Sequence, residues 1–201
     1  VPLLINKPAT TKNYLLFRDA DYIQPFIRHK TFLGYYFLKP LKNFNLGSEE
    51  KPVYFNDNKG YYDILDQNIA PKGYVGFKGK IYLLVDDYVY SSAEAFAAFS
   101  KATGFATLIG TKTGGDGVGF DPAAVILPYS GLIVRFPADM GLNSDGTVNE
   151  ETQTQPDVFA EQTYEDFILE ISAKNKANTS FLQMLKYDTI LKKAVELAKE
   201  Q

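Results

Sequence analysis

Two adjacent serines, Ser91 and Ser92, lie where a serine nucleophile could be activated. The apolar run at 81–85 predicts a buried strand, a turn at 86–90 follows, and the serines then open a segment with helical spacing. At a helix N-terminus the backbone N–H groups lack acceptors and the helix dipole is positive, so an oxyanion formed by serine attack would be stabilised there. The sequence therefore indicates a serine-nucleophile site. Ser91 with Glu94 also fits S-x-x-E, a helix-capping box, and taken alone that spacing favours the cap.

The elements around these serines predict a strand–helix–strand unit. A helix at 91–103 should end at Gly104 in a left-handed cap, and a strand at 106–109 should follow it. The apolar residues that should pack this helix on the sheet are Ala95, Phe96, Phe99 and Ala102. The further elements expected are a strand at 53–55, loops at 45–60, 72–80 and 110–121, a hairpin of strands 123–127 and 132–136, a turn at 143–146, and helical segments at 164–174 and 181–200. Residues 1–50 have mixed periodicity and receive no assignment. The strand–helix–strand order of the later elements indicates an α/β domain.

The composition excludes several classes of function. Of 201 residues, 45% are hydrophobic and 22% charged, as in a globular protein, and no apolar run is long enough to span a membrane. A net charge of −3 without a basic cluster argues against a nucleic-acid partner. Without cysteine there is no thiol catalysis or Cys-based zinc site, and the single histidine, His29, excludes a two-histidine metal site. No cofactor and no metal are implied.

The run from Ile81 to Gly117 resembles the catalytic core of the carboxyl-terminal processing peptidases, also called tail-specific proteases. In that family a strand precedes S-x-[SAG]-E at a helix start, and a second strand precedes a G-E-x-T-x-G-x-G loop. Here the strand reads IYLLVDD, the serine motif SSAE, and the loop GTKTGGDG. A later family element, G-x-x-x-E-x-x-G-x-x-P-D, is similar to GTVNEETQTQPD at 146–157. The resemblance covers about 78–160. It implies a ClpP/crotonase-like α/β core of stacked βαβ units, followed by C-terminal helices.

The resemblance implies roles for five residues. Ser91 would be the nucleophile and the Ser92 N–H an oxyanion donor, with Ser92 as the alternative nucleophile. Gly114 and Gly115 would let the loop approach a substrate backbone, or would simply form a tight turn. In the tricorn-core-like branch of the family, a glutamate that corresponds to Glu150 supports a catalytic histidine, although Glu150 could instead be a solvated turn residue.

The chain departs from the family pattern at the general base. In the bacterial members of the family, a lysine and the nucleophilic serine form a catalytic dyad. In this chain Asp116 stands at the position of that lysine, and Ala102 stands at the position of the accompanying carboxylate. Lys112 is four residues too early and is expected to be a solvated surface residue. In the tricorn-core-like branch the histidine lies well upstream of the serine; His29 is too close in sequence and is expected to be a surface or structural residue.

These departures predict a C-terminal catalytic fragment of a larger serine endopeptidase. The base, and a D-x-R-x-N-x-G-G segment that would supply the second oxyanion donor, are not found before Lys80. The fragment would comprise an unassigned part (1–77), the family core (78–160) and C-terminal helices (161–201), and would be inactive alone. The resemblance implies protein or peptide substrates and an extracytoplasmic location. Two alternatives remain: a non-catalytic peptide- or ligand-binding module on the same fold, and a crotonase-type acyl-CoA enzyme, which needs no serine at position 91.

Overall fold

The computed structural model describes residues 1–21, 25, 38–40, 59–119, 123–174 and 180–200. Their strands are β1 (Ala9–Arg18), β2 (Lys39–Pro40), β3 (Gly60–Ile69), β4 (Tyr82–Val85), β5 (Thr107–Gly110), β6 (Ala123–Ile126), β7 (Ile133–Phe136), β8 (Met140–Leu142) and β9 (Val158–Phe159). Their helices are α1 (Ser92–Thr103), α2 (Asn149–Thr152), α3 (Tyr164–Lys174), α4 (Phe181–Met184) and α5 (Thr189–Lys199). The mixture of strands and helices confirms the predicted α/β class.

The predicted strand–helix–strand unit is present as β4–α1–β5. The two strands are parallel, in register from Tyr82 with Thr107 to Val85 with Gly110, and β9 adds in parallel on the other side of β5. Helix α1 ends at Gly104 with φ 65°, the left-handed cap that the sequence predicts. This unit places the N-terminus of α1 beyond the carboxyl end of β4, the sheet edge at which open α/β sheets bind ligands.

Helices cover both faces of this parallel sheet. On one face, Ala97 of α1 packs against Val85 and Leu108. On the other face, Ala194 of α5 packs with Ile109 and Ala160. The sheet is therefore the middle of three layers, and the burial on both sides gives α1 a rigid support.

A second, antiparallel sheet has the strand order β2-β3-β1-β8. Its centre is the long pair β1–β3, in register from Ala9 with Ile69 to Arg18 with Gly60. The middle of β1 is buried on both faces, so its run YLLF is continuously apolar and shows no alternation. Such a run fits a buried strand or a buried helix, and periodicity does not decide between them. Strand β8 brings the segment that leads into α2 against β1.

The apolar stripe predicted for α1 is partly wrong. The buried residues of the helix are Glu94, Ala97, Phe99 and Ser100. Phe96 is 39% exposed and contacts the ring of Phe105 edge-on, with centroids 6.0 Å apart, and Ala102 is exposed. The difference arises because two polar side chains occupy the buried face, which a count of apolar residues cannot foresee.

The remaining predicted elements are mostly confirmed. Strands β6 and β7 form the expected antiparallel hairpin, and α3 has the expected bounds. The helical segment expected at 181–200 is two helices, because Asp188 caps α5 by accepting a hydrogen bond of 2.8 Å from the Leu191 N–H. The strand expected at 53–55 lies outside the described residues. None of the described helices is both long and apolar enough to cross a membrane.

Candidate active site

Ser91 occupies a strained turn between β4 and α1. Its φ of 56° and ψ of −127° place a non-glycine residue in a region that L side chains rarely adopt. Hydrogen bonds hold it from both sides, since its N–H donates to Gly115 O (3.1 Å) and its carbonyl accepts from the Ala95 N–H (2.9 Å). Ser91 is exposed. A serine forced into a sharp strand-to-helix turn and exposed there has the geometry of a nucleophile elbow.

The capping-box interpretation of Ser91 and Glu94 is wrong. The Ser91 side chain accepts no cap hydrogen bond. The Glu94 carboxylate turns inward instead, where it is 0% exposed and Oε1 accepts from Asn149 Nδ2 (2.8 Å) and Thr154 Oγ1 (2.7 Å). The Ser91 hydroxyl is therefore not engaged in stabilising the helix end.

Ser92 provides a backbone donor beside Ser91. It is the first residue of α1, and its N–H has no acceptor among the described residues. The next N–H, that of Ala93, donates to Tyr90 O at 3.2 Å. The Ser92 N–H thus has the position and the unused donor capacity that an oxyanion hole requires, and that role stays a prediction.

Contacts within the chain explain why residues 114 and 115 are glycines. Gly114 donates its N–H to Val89 O (2.8 Å), and a Cβ at this position would lie 2.6 Å from Asp87 O. Gly115 has φ 83°, and a Cβ there would lie 3.1 Å from Gln153 Cγ. Close packing of the loop on its neighbours therefore explains both glycines. Contact of Gly114 and Gly115 with a substrate stays a prediction.

Gly117 lets the same loop lie directly on α1. A Cβ at Gly117 would be 2.4 Å from Ala95 N and 2.5 Å from Glu94 Cγ. Any larger residue would push the loop away from the first turn of the helix. The glycine-rich loop is thus a support for the turn that carries Ser91.

Glu150 lies in α2, close to the backbone that holds Ser91. Its Oε2 is 3.5 Å from the position a Cβ of Gly115 would occupy, and Gly115 O is the acceptor of the Ser91 N–H. Although the residue is exposed overall, burial of its carboxyl raises the pKa of Glu150, as do a hydrogen bond with Asp116, the charge of Asp116 and the charge of Glu94. Glu150 and Ser91 thus both lie beside Gly115.

Three other residues were considered for the general base from the sequence: Lys112, Asp116 and His29. Lys112 is exposed, as expected. Asp116, at the position of the family's dyad lysine, instead helps to raise the pKa of Glu150 through a hydrogen bond and through its charge. His29 lies outside the described residues. Within residues that the structure describes, no group of three or more acidic or histidine side chains could hold a metal ion.

Sequence reasoning missed two buried polar residues, Asn149 and Thr154. Asn149 is 0% and Thr154 5% exposed, and both donate to Glu94. The available signal was their place in the family element at 146–157, where Asn149 directly precedes Glu150. The aspartate that closes this element, Asp157, is structural: its carboxylate accepts from the Leu108 N–H (2.8 Å) and pairs with Lys101.

Comparison with solved structures shows the fold. The chain is similar to mature CPAF complexed with lactacystin, with 16% identity and a TM-score of 0.61 over 100% of this chain and 41% of that one. Mature CPAF alone gives 15% identity and a TM-score of 0.60 over 99% and 40%. A putative peptidase from Parabacteroides merdae ATCC 43184 gives 23% identity and a TM-score of 0.52 over 70% and 40%. The chain spans about two fifths of the length of these proteins.

Comparison with protein families identifies the chain. No curated protein matches it. The sequence model of peptidase family S41 matches residues 40–160, which include Ser91, the glycine-rich loop and Glu150. This chain belongs to peptidase family S41.

Proposed function

We propose that this chain carries the nucleophile and one oxyanion donor of a serine endopeptidase, and that Ser91 is the nucleophile. The observation that carries the proposal is the conformation of Ser91, a strained and exposed serine at a helix head whose hydroxyl caps nothing. Backbone strain of about 1–3 kcal/mol persists only where the surrounding structure imposes it, and it clusters at functional sites. Membership of a peptidase family supplies the class of reaction.

In the proposed reaction, Ser91 Oγ attacks the carbonyl carbon of a peptide bond in an extended substrate. The carbonyl oxygen becomes an oxyanion that accepts a hydrogen bond from the Ser92 N–H. One such donor contributes on the order of 3 kcal/mol in the transition state. The serine proton passes to a general base and then to the leaving amine as the C–N bond breaks. Water subsequently hydrolyses the acyl-enzyme ester and regenerates the Ser91 hydroxyl.

We propose that the general base is a histidine upstream of these 201 residues. No described side chain is hydrogen-bonded to the Ser91 hydroxyl. Glu150, which lies beside Gly115 as Ser91 does, would support that histidine. The structures to which the chain is similar are more than twice its length. We therefore propose that the 201 residues act as the C-terminal part of a larger peptidase and do not hydrolyse peptides alone. An extracytoplasmic location is proposed from the family resemblance only, and fractionation of the host cells would test it.

The test is peptide hydrolysis and fluorophosphonate labelling by the protein in its longest natural form. Ser91→Ala should lower the hydrolysis rate on the order of 10⁶-fold and abolish labelling of the α1 turn. Ser144→Ala, in an exposed turn of the same domain, serves as the control and should behave as the unmodified protein. The measurements are initial rates with a quenched peptide and the labelled site located by mass spectrometry.

The outcomes separate the alternatives. Normal turnover by Ser91→Ala would overturn the assignment, and loss of labelling in Ser92→Ala alone would move the nucleophile to Ser92. Peptide binding without hydrolysis or labelling in the unmodified protein would favour the non-catalytic binding module. Acyl-CoA turnover that Ser91→Ala retains would favour the crotonase-type enzyme.

A further inference from the structure

We propose that the buried pair Glu94–Asn149 is a positioning device that fixes Ser91 relative to Glu150. The inference rests on the proposed function, because it assigns these two residues to the same site. Both side chains are 0% exposed, and neither reaches the surface on which a substrate could bind. They act, in this proposal, through the backbone of the residues beside them.

The pair joins two elements that each carry a site residue. Glu94 lies in the first turn of α1, three residues after Ser91, and Asn149 directly precedes Glu150 in α2. Asn149 Nδ2 donates to Glu94 Oε1 at 2.8 Å. This buried hydrogen bond therefore connects the helix that carries Glu150 to the first turn of α1.

Asn149 also holds the glycine-rich loop. Its Oδ1 accepts from the Gly117 N–H at 3.0 Å, while its Nδ2 donates further to Asn143 Oδ1 at 3.1 Å. Gly117 is the residue that rests on α1 without room for a Cβ. One side chain therefore fixes the helix, the loop and the entry to α2 together.

Thr154 closes the network from the other end of the segment. Its Oγ1 donates to Glu94 Oε1 (2.7 Å), and its N–H donates to Thr113 Oγ1 (2.9 Å). The Thr113 N–H in turn donates to Thr154 O (3.1 Å). Glu94 Oε1 is thus the shared acceptor of two donors from either side of Glu150, while Oε2 has no donor among the described residues.

Substitutions at Asn149 and Glu94 can break the hydrogen bond between them and then restore it. Asn149→Asp replaces the donor by a second carboxylate against Glu94, and two like charges at that distance cannot both ionise without repulsion. In the double variant Glu94→Gln with Asn149→Asp, the amide nitrogen takes the place of Oε1, donates one N–H to the new carboxylate and donates the other to Thr154 Oγ1, which then acts as an acceptor. The contact with Asn143 changes in both variants, so it cancels when they are compared.

The experiment uses the protein in its longest natural form and measures the rate of fluorophosphonate labelling at Ser91, thermal unfolding, and hydrogen exchange of the hydrogen-bonded amides of Gly117 and Ser91. Misplacement of a reacting group by about 1 Å lowers a rate on the order of 10²-fold. We expect Asn149→Asp to label about 10–100-fold more slowly and to exchange faster at both amides. The double variant should recover most of the labelling rate and most of the protection of the two amides. The control, Asn68→Asp, adds the same charge at an exposed site on β3 and should label at the original rate.

Three results would overturn the inference. These are labelling of Asn149→Asp at the original rate with unchanged amide exchange, a double variant no better than the single one, and a loss as large in Asn68→Asp. If Asn149→Asp does not fold, recovery of folding in the double variant supports the pair, and its continued failure to fold overturns it. If Ser91 in the unmodified protein is not labelled, the proposed function fails; amide exchange in the same variants then decides the positioning by itself, in the same directions.

Discussion

Replacement of Ser91 by glycine should make the protein more stable. The residue has φ 56° and ψ −127°, which costs a serine about 1–3 kcal/mol and glycine almost nothing. Glycine loses about 0.5–1 kcal/mol more backbone entropy on folding. The middle values of the two ranges leave a net gain of about 1 kcal/mol, or a rise in Tm of about 2–4 °C for a domain of this size.

Ser91→Ala is the matched control for this experiment. It keeps the Cβ, and so the strain, and it removes a hydroxyl that caps nothing. Its stability should therefore stay within about 0.5 kcal/mol of the unmodified chain, whereas loss of a true N-cap would cost about 1 kcal/mol. Thermal and urea unfolding followed by circular dichroism measure all three forms of the chain without any need for activity. A glycine variant no more stable than the alanine variant would refute the argument from strain.

Two carboxyl groups give further predictions through their pKa values. Burial, then the hydrogen bond and charge of Asp116, raise the pKa of Glu150, so its contribution to stability is full at low pH and is lost as the pH rises through the folded-state pKa. Asp116→Asn should lower that pKa and raise stability at neutral pH by about 0.2–1 kcal/mol; ¹³C NMR titration of Glu150 checks this, and an unchanged titration would contradict it. Hydrogen bonds from Lys192 and then Thr189 lower the pKa of Asp166, so its contribution is present at neutral pH and is lost as the pH falls through the folded-state pKa. Asp166→Asn should cost about 1 kcal/mol in urea unfolding at neutral pH and less in acid, and equal costs at both would count against the ion pair.

The sequence predicts the elements whose signals are local. The run at 81–85, the helical spacing after it and Gly104 together specify β4 and α1, because burial, periodicity and a left-handed cap are each visible in a few neighbouring residues. Strand β3 could not be predicted in the same way. Its central sequence, DILDQN, is poor in strand-forming residues, and it is held in the sheet by its pairing with β1.

The candidate site was also predictable only where the signal is local. The place of Ser91 followed from its position after a strand and at a helix head. The direction of Glu94 did not, because S-x-x-E is the same pattern whether the carboxylate folds back to the helix end or turns into the core. Asn149 was not foreseen, since its place in the family element at 146–157 does not show that its side chain is fully buried.

Because the β4–β5–β9 sheet is buried on both faces, the part of the chain that must fold together is longer than the part that matches the family model. The family match ends at residue 160, yet Ile190, Ala194 and Leu197 lie beyond it and close one face of the sheet over Ile109. A protein excised at that boundary would turn an aliphatic surface to water and would tend to associate or unfold. Residues that carry no catalytic motif are thus needed for the part that carries the motifs to fold stably.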